Sequence, residues 1–391
     1  MFLLFFLFCQ GMIGAFFLQP LFSADPPTKI QKKKTTRLQR LQIEAFKRNL
    51  RIIRTVDEKT SFLLSILKQY DQNQFSEVLQ ENKPIFSNDS EKLPEKEIEA
   101  AVSLIRGNSL LFLGRQEEAV AAYQRAHQLT NVPQTKAAAM ANFSIVLSGK
   151  GRFKKAITML ERVLQIDRKT DNWAGQGLAL SLLGQFYFQT GEVDKGASAH
   201  IESLEIAETV PIPWLEARQL RQLATLYSMD RSFNQAKKNY LKASRIYRKL
   251  RDLLGEAASL SGLAHVYKNL GDFGDARHQQ LKALAIYQQL EDHENEAKNL
   301  IRLSQIDLDQ GHFDAALKSG KEALQVYQNT ENMKGLAEAE GMLGIIHQQK
   351  KDLPEAIRHL EKAKKHFEAA GASQEIHAVD LRIQELKDRV K

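Results

Sequence analysis

Cysteine is almost missing from this chain of 391 residues: Cys9 is the only one. A disulfide framework, a thiolate zinc site and a cysteine nucleophile are therefore excluded from everything that follows it. Glycine (21) and proline (9) are also scarce, which rules out collagen-like and low-complexity classes. The motifs of common chemistries are lacking too. Gly175-Gln176-Gly177 has no third glycine, no lysine and no preceding strand, so it cannot cradle a phosphate. There is no Gly-x-Ser-x-Gly nucleophile elbow. The ten histidines are scattered, with no His-Glu-x-x-His or other ligand pair at helical spacing. His265 and His347 fall where a polar helix residue is expected, and both read as structural. No catalytic residue, no metal and no cofactor are expected, and the chain reads as a non-enzyme.

Charge is present but localised. The formal net charge is +8, and residues 25–60 hold eleven Lys or Arg against four acids, which accounts for +7 of it. The rest is nearly balanced and has no overall field to attract nucleic acid, which is not an expected partner. Ahead of the basic stretch, residues 1–24 carry no charge and open with Phe2-Leu3-Leu4-Phe5-Phe6-Leu7-Phe8. This is a membrane-directed leader. Cleavage after Ser23 or Ala24 would export the chain to the periplasm or cell envelope, whereas retention of residues 1–23 would anchor it in the membrane. Within 25–60, Leu38, Leu41, Ala45, Ile52 and Val56 form an apolar stripe beside Arg37, Arg40, Lys47, Arg51 and Arg54. That pattern suits a packed leading helix, or contact of residues 29–54 with an anionic membrane surface. Residues 61–96 read as a degenerate leading repeat, and Asn88-Asp89-Ser90 and Asn142-Phe143-Ser144 fit weak glycosylation patterns.

At roughly 150 residues per domain, two or three globular units would be expected, but the sequence repeats itself. Polar turns at Gly151, Gly191, Arg231, Gly271, Gly311 and Lys351 step by 40 residues. Three columns hold almost only small residues. The first is Gly107, Ser144, Gly184, Ala224, Ala264, Ser304 and Gly344; the second is Ala119, Ala156, Gly196, Ala236, Ala276, Ala316 and Ala356; the third is Ala126, Val163, Ser203, Ala243, Ala283, Ala323 and Ala363. Small side chains are needed where helix axes come within about 8–10 Å. The columns thus predict an all-α fold of seven antiparallel helix pairs over residues 97–370, closed by a capping helix over 371–391. Such pairs must stack to bury their apolar faces.

The strings Leu183-Gly184-x-x-Tyr187, Leu223-Ala224-x-x-Tyr227 and Leu263-Ala264-x-x-Tyr267, with Ala119-x-x-x-Tyr123 and Ala236-x-x-x-Tyr240, resemble the tetratricopeptide repeat family. The resemblance implies a right-handed superhelical solenoid that binds a protein or peptide. Two departures stand out: the period is 40 rather than 34, and Arg168, Glu208, Arg248, Gln288, Gln328 and Glu368 replace the proline that closes the second helix. The pattern looks like the long-helix variety of kinesin light chains and some bacterial regulators. In such a fold the first helix of each pair lines the inner face. The expected partner-binding residues are Gln185, Arg218, Arg221, Gln222, His265, Lys268, Lys298, Arg302 and Gln305, a basic groove for an acidic peptide segment. The carboxylate clamp of chaperone-binding members is not expected, because Leu104, Leu178 and Leu182 stand where its basic partners should be. A sensing module or a membrane-anchored assembly factor is the alternative function.

Overall fold

Fifteen α-helices and no strand make up the described residues, 95–112 and 114–390, of the computed structural model. The leader, the basic segment, the Asn88 motif and all but the last two residues of the 61–96 segment lie outside them. The first helices of successive pairs are α1 (Glu95–Phe112), α3 (Pro133–Gly149), α5 (Trp173–Gln189), α7 (Pro213–Met229), α9 (Leu253–Asn269), α11 (His293–Asp309) and α13 (Met333–Gln349). Their partners are α2 (Gln116–Leu129), α4 (Phe153–Lys169), α6 (Val193–Thr209), α8 (Phe233–Leu250), α10 (Phe273–Leu290), α12 (Phe313–Asn329) and α14 (Leu353–Ala369). Helix α15 (Ser373–Val390) follows the last pair. No helix among the described residues is long and apolar enough to cross a membrane.

Left-handed residues end the helices. Gly151, Gly191, Gly271 and Gly311 have φ of 69°, 83°, 84° and 76°, and Arg231 and Lys351 take the same conformation at 58° and 66°. Glycine holds it at no steric cost, whereas the two side chains pay a small strain. A second set of stops, Asp171, Arg251, Glu291 and Glu331, ends the second helices at φ of 49° to 57°. Behind each stop a backbone N–H reaches five residues back, as in Glu192 to the Tyr187 carbonyl at 2.8 Å and Asp252 to that of Tyr247 at 2.9 Å, which covers the last exposed carbonyls. Four first helices then start on a side-chain cap. Asn172, Asp252, Asp292 and Asn332 accept from the backbone N–H three residues on, at 3.2, 2.9, 3.2 and 2.9 Å, each worth about 1 kcal/mol. Without a proline to break them, α8, α10 and α12 run on through Tyr247, Tyr287 and Tyr327.

All three small-residue columns are buried, and Ala119, Ala156, Ala236, Ala276, Ala316 and Ala356 are all inaccessible to solvent. Their packing is backbone on backbone. A methyl group added at Gly196 would lie 3.0 Å from the Gly184 carbonyl oxygen, and Ser304 Oγ donates to the Ala316 carbonyl at 2.7 Å across the pair. Chain contacts group the described residues into two units, one ending at Gln219 and the other beginning at Leu220. The first has a continuous core from Leu104 to Ile206, with Tyr123, Leu160 and Phe186 at its centre. The second is built from successive clusters around Leu263 and Val266, Leu300 and Tyr327, and Met342 and Ile346. Ile383 and Leu386 of α15 close it against Ala356 and Leu360.

Candidate partner-binding face

The second unit carries the strongest concentration of polar function on its first helices. From α7 comes Arg221, from α9 come Ser261, His265 and Lys268, and from α11 come Arg302, Gln305 and Asp309. Behind them stand four tyrosines of the second helices: Tyr240 and Tyr247 on α8, Tyr287 on α10 and Tyr327 on α12, none more than 5% exposed. Tyr247, Tyr287 and Tyr327 repeat at 40 residues. Glycine lets two of their rings lie against the next helix, since a methyl group at Gly255 would sit 2.4 Å from the Tyr247 ring and one at Gly335 2.3 Å from the Tyr327 ring.

The hydroxyl groups and the guanidinium groups face a common region. Burial opposes the charge of Arg221, but the hydroxyls of Tyr247, Tyr240 and Tyr287 hold its guanidinium above the usual arginine range. Burial pushes the Tyr240 phenol up, against the opposing charges of Arg221 and Arg302. Burial, with Asp292 adding to it, moves Tyr287 to about 12, and burial raises Tyr327 further. The Tyr240, Tyr287 and Tyr327 phenols therefore stay protonated at neutral pH, with Tyr240 Oη 2.9 Å from Thr225 Oγ1. Arg302 Nη1 donates to Ser261 Oγ at 2.7 Å. Neither Arg221 nor Arg302 has a carboxylate at ion-pair distance among the described residues; Asp252, the acid that feels the Arg221 charge, is engaged in capping α9. On this face, Arg221 Nε and Tyr327 Oη are buried and lack a hydrogen-bond partner among the described residues.

The remaining cations are already neutralised. Lys268 Nζ lies 3.1 Å from Asp309 Oδ2, and Gln305 Nε2 donates to Asp309 Oδ1 at 2.6 Å. Lys298 Nζ pairs with Glu294 at 2.7 Å, and Glu338 adds a further negative charge near it. His265 is exposed, with its Nε2 3.1 Å from Asn269 Nδ2. Desolvation first, then the charges of Lys268 and Arg302, lower its pKa. Gln222 is half-buried. Gln185 and Arg218 belong to the first unit. Gln185 is half-buried, with its Oε1 lacking a partner, and Arg218 is 9% exposed with its Nε donating to Ser181 Oγ at 3.1 Å. Counting along the helix face thus located Arg221, His265, Lys268, Arg302 and Gln305 in one region. Ser181, Ser261 and Leu308, on the same helices, are buried.

The tyrosine wall was not among the expected site residues. Its signal was in the sequence as Tyr247, Tyr287 and Tyr327 at one period, with glycine eight residues after the first and last. Asn108 and Asn142, which match the asparagine places of the carboxylate clamp, are instead consumed in the core. Asn142 Nδ2 and Tyr123 Oη both donate to Asn108 Oδ1, at 3.2 and 2.8 Å. Asn142 is 3% exposed, which rules it out as a glycan acceptor in the folded chain.

The family model described as "Tetratricopeptide repeat" matches residues 98–169 and 255–329. No curated protein matches the sequence. Among solved structures, the chain is similar to a signal transduction ATPase with numerous domains and a tetratricopeptide repeat sensor from Pyrococcus horikoshii: TM-score 0.58, 17% identity, covering 94% of this chain and 56% of that one. It is similar also to the apo form of RapI, with TM-score 0.58, 13% identity and coverage of 85% and 99%. A Rap protein complexed with competence and sporulation factor matches with TM-score 0.54, 12% identity and coverage of 85% and 95%. These likenesses extend to the fold. The small-residue columns stepping by 40 and the helices packed in consecutive pairs go with two segments, residues 98–169 and 255–329, that match the tetratricopeptide repeat model.

Proposed function

We propose that the protein is a non-catalytic interaction scaffold whose second unit binds an extended acidic segment of a protein partner through Arg221, Arg302 and the tyrosine hydroxyls. The observation that carries this reading is the pair of guanidinium groups with no carboxylate at ion-pair distance among the described residues, set beside two buried donors, Arg221 Nε and Tyr327 Oη, that no described residue satisfies. A carboxylate is the group that answers both, because it takes charge-assisted hydrogen bonds from arginine and tyrosine together. An unpaired buried donor costs about 1–3 kcal/mol, and a ligand that satisfies it recovers part of that. The preformed stack of helices supports the reading as well, since a rigid face limits the ordering cost of binding. A Rap protein of similar fold is found complexed with competence and sporulation factor, which supports a stack of this kind presenting a surface to another molecule.

The test is a fluorescence-anisotropy titration of the full chain with peptides of varied Asp and Glu spacing, alongside the same peptides carrying Asn and Gln. Acidic peptides should bind, more weakly as salt rises, and Arg221→Gln with Arg302→Gln should lower affinity at least tenfold while the helical circular dichroism is kept. Equal binding of neutral peptides, or an unchanged affinity in the double variant, contradicts the reading. A cell-envelope location after cleavage of residues 1–24 goes with this proposal, and N-terminal sequencing of the native protein decides it.

A further inference from the structure

In the last pair, departures from the repeat converge. The column that holds Leu180, Leu220, Leu260 and Leu300, each no more than 3% exposed, holds Glu340 in α13, itself 3% exposed. The column of Tyr187, Tyr227 and Tyr267 turns to Asp307 in the pair before and to His347 in the last. A carboxylate in place of a core leucine is expensive unless it is paired, and Glu340 is paired: its Oε2 lies 2.5 Å from Nδ1 of His359 on α14.

Both histidines are oriented in the same way. His359 Nδ1 is held by Glu340, and His347 Nδ1 by Asp352 Oδ2 at 3.1 Å. The two rings are stacked, 5.3 Å between centroids at 18°. Each therefore turns its Nε2 away from its carboxylate, and Glu355, four residues before His359 on α14, brings its Oε2 to 3.9 Å from His359 Nε2. One ligand atom from each of His347, Glu355 and His359 lies within 4.8 Å of the other two. A tetrahedral ion with ligands at about 2.0–2.2 Å sets them roughly 3.4 Å apart, so the three must close by up to about 1.4 Å. Histidine Nδ1 bonded to a carboxylate, with Nε2 left for the metal, is the usual support of a histidine ligand. Arg358 now covers the position, with its Nε 2.8 Å from Glu355 Oε2 and its Nη2 3.4 Å from His359 Nε2, and its half-exposed side chain is able to swing aside.

We propose that His347, His359 and Glu355 form a site for a divalent transition ion of the zinc class, oriented by Asp352 and Glu340, with its fourth position open to water. Two imidazoles and one carboxylate are the donor set such ions take. The site revises the expectation of a metal-free chain. No two histidines stand at ligand spacing on one helix, because the second comes from the neighbouring helix. It is independent of the acidic-segment reading, since none of its residues belongs to that face.

The experiment uses the full chain, without an affinity tag, stripped with EDTA and titrated with Co2+ while its visible d–d absorption is followed; Zn2+ is then added as competitor. One equivalent should bind in saturable fashion, Zn2+ should displace it, and Zn2+ should raise the melting temperature of the wild type. Glu355→Gln lies at the surface and leaves the fold intact, and Glu340→Gln removes the orienting charge. Each should weaken Co2+ binding tenfold or more, as removal of an outer partner alone typically costs 10–100-fold, and Glu355→Gln should lose the melting shift. The proposal is overturned if no saturable equivalent binds, or if Glu355→Gln and His347→Gln bind Co2+ as the wild type does.

Discussion

Asp167 occupies the place that Tyr247, Tyr287 and Tyr327 take in later pairs, and the exchange has a physical consequence. The carboxyl is fully buried, its Oδ1 accepts from Asn172 Nδ2 at 2.8 Å, and its Oδ2 has no partner. Burial pushes its pKa up to about 7, with the Asn172 bond opposing. Since the folded value lies above the unfolded one, the folded state holds the extra proton between about 4 and 7, and stability falls as pH rises through that window. Asp167→Asn should therefore stabilise the protein at pH 8 by on the order of 2–3 kcal/mol, with the gain shrinking toward pH 4. Urea unfolding of both proteins at pH 5 and pH 8 checks this, and a gain that is equal at the two values would contradict it. The basic residues of the candidate face were legible as a helical stripe. Their ranking was not, because periodicity gives no information on which cations already have partners: Lys268 and Lys298 are neutralised by Asp309 and Glu294, and Arg221 and Arg302 are not.

Helix ends and crossings were legible at the level of elements, because their causes are local. The 40-residue steps of glycine at Gly151, Gly191, Gly271 and Gly311 fall on left-handed residues, and the absence of a closing proline correctly predicted second helices that continue through Tyr247, Tyr287 and Tyr327. The stops at Asp171, Arg251, Glu291 and Glu331 were hidden, since no glycine marks them and only the following cap residue gives a hint. Close crossings make two further outcomes specific. Ala264 is fully buried between helices whereas Thr225 is exposed on α7, so Ala264→Leu should destabilise by about 1–3 kcal/mol through overpacking and Thr225→Leu by much less, as read by thermal unfolding. Gly335→Ala places a methyl group 2.3 Å from the Tyr327 ring. It should displace that ring, visible as a changed tyrosine fluorescence and a lower affinity for acidic peptides.

At the scale of the whole chain, the columns of small residues carry the account. A fold made of like units stacked on their neighbours tolerates loss of one complete unit, because the two new neighbours present the faces the old ones did. It does not tolerate loss of a fraction of a unit, which turns every later helix away from its register. Deleting residues 273–312 removes one full period and brings Phe313 to the place of Phe273, with Ala316 following as Ala276 did. Deleting 273–306, the family's usual 34-residue period, leaves the later columns out of phase. The deciding measurement is thermal unfolding of both deletions followed by circular dichroism. The 40-residue deletion should keep the helicity per residue and a cooperative transition, while the 34-residue deletion should lose the transition. Equal behaviour of the two would contradict a register fixed by small residues every 40 positions.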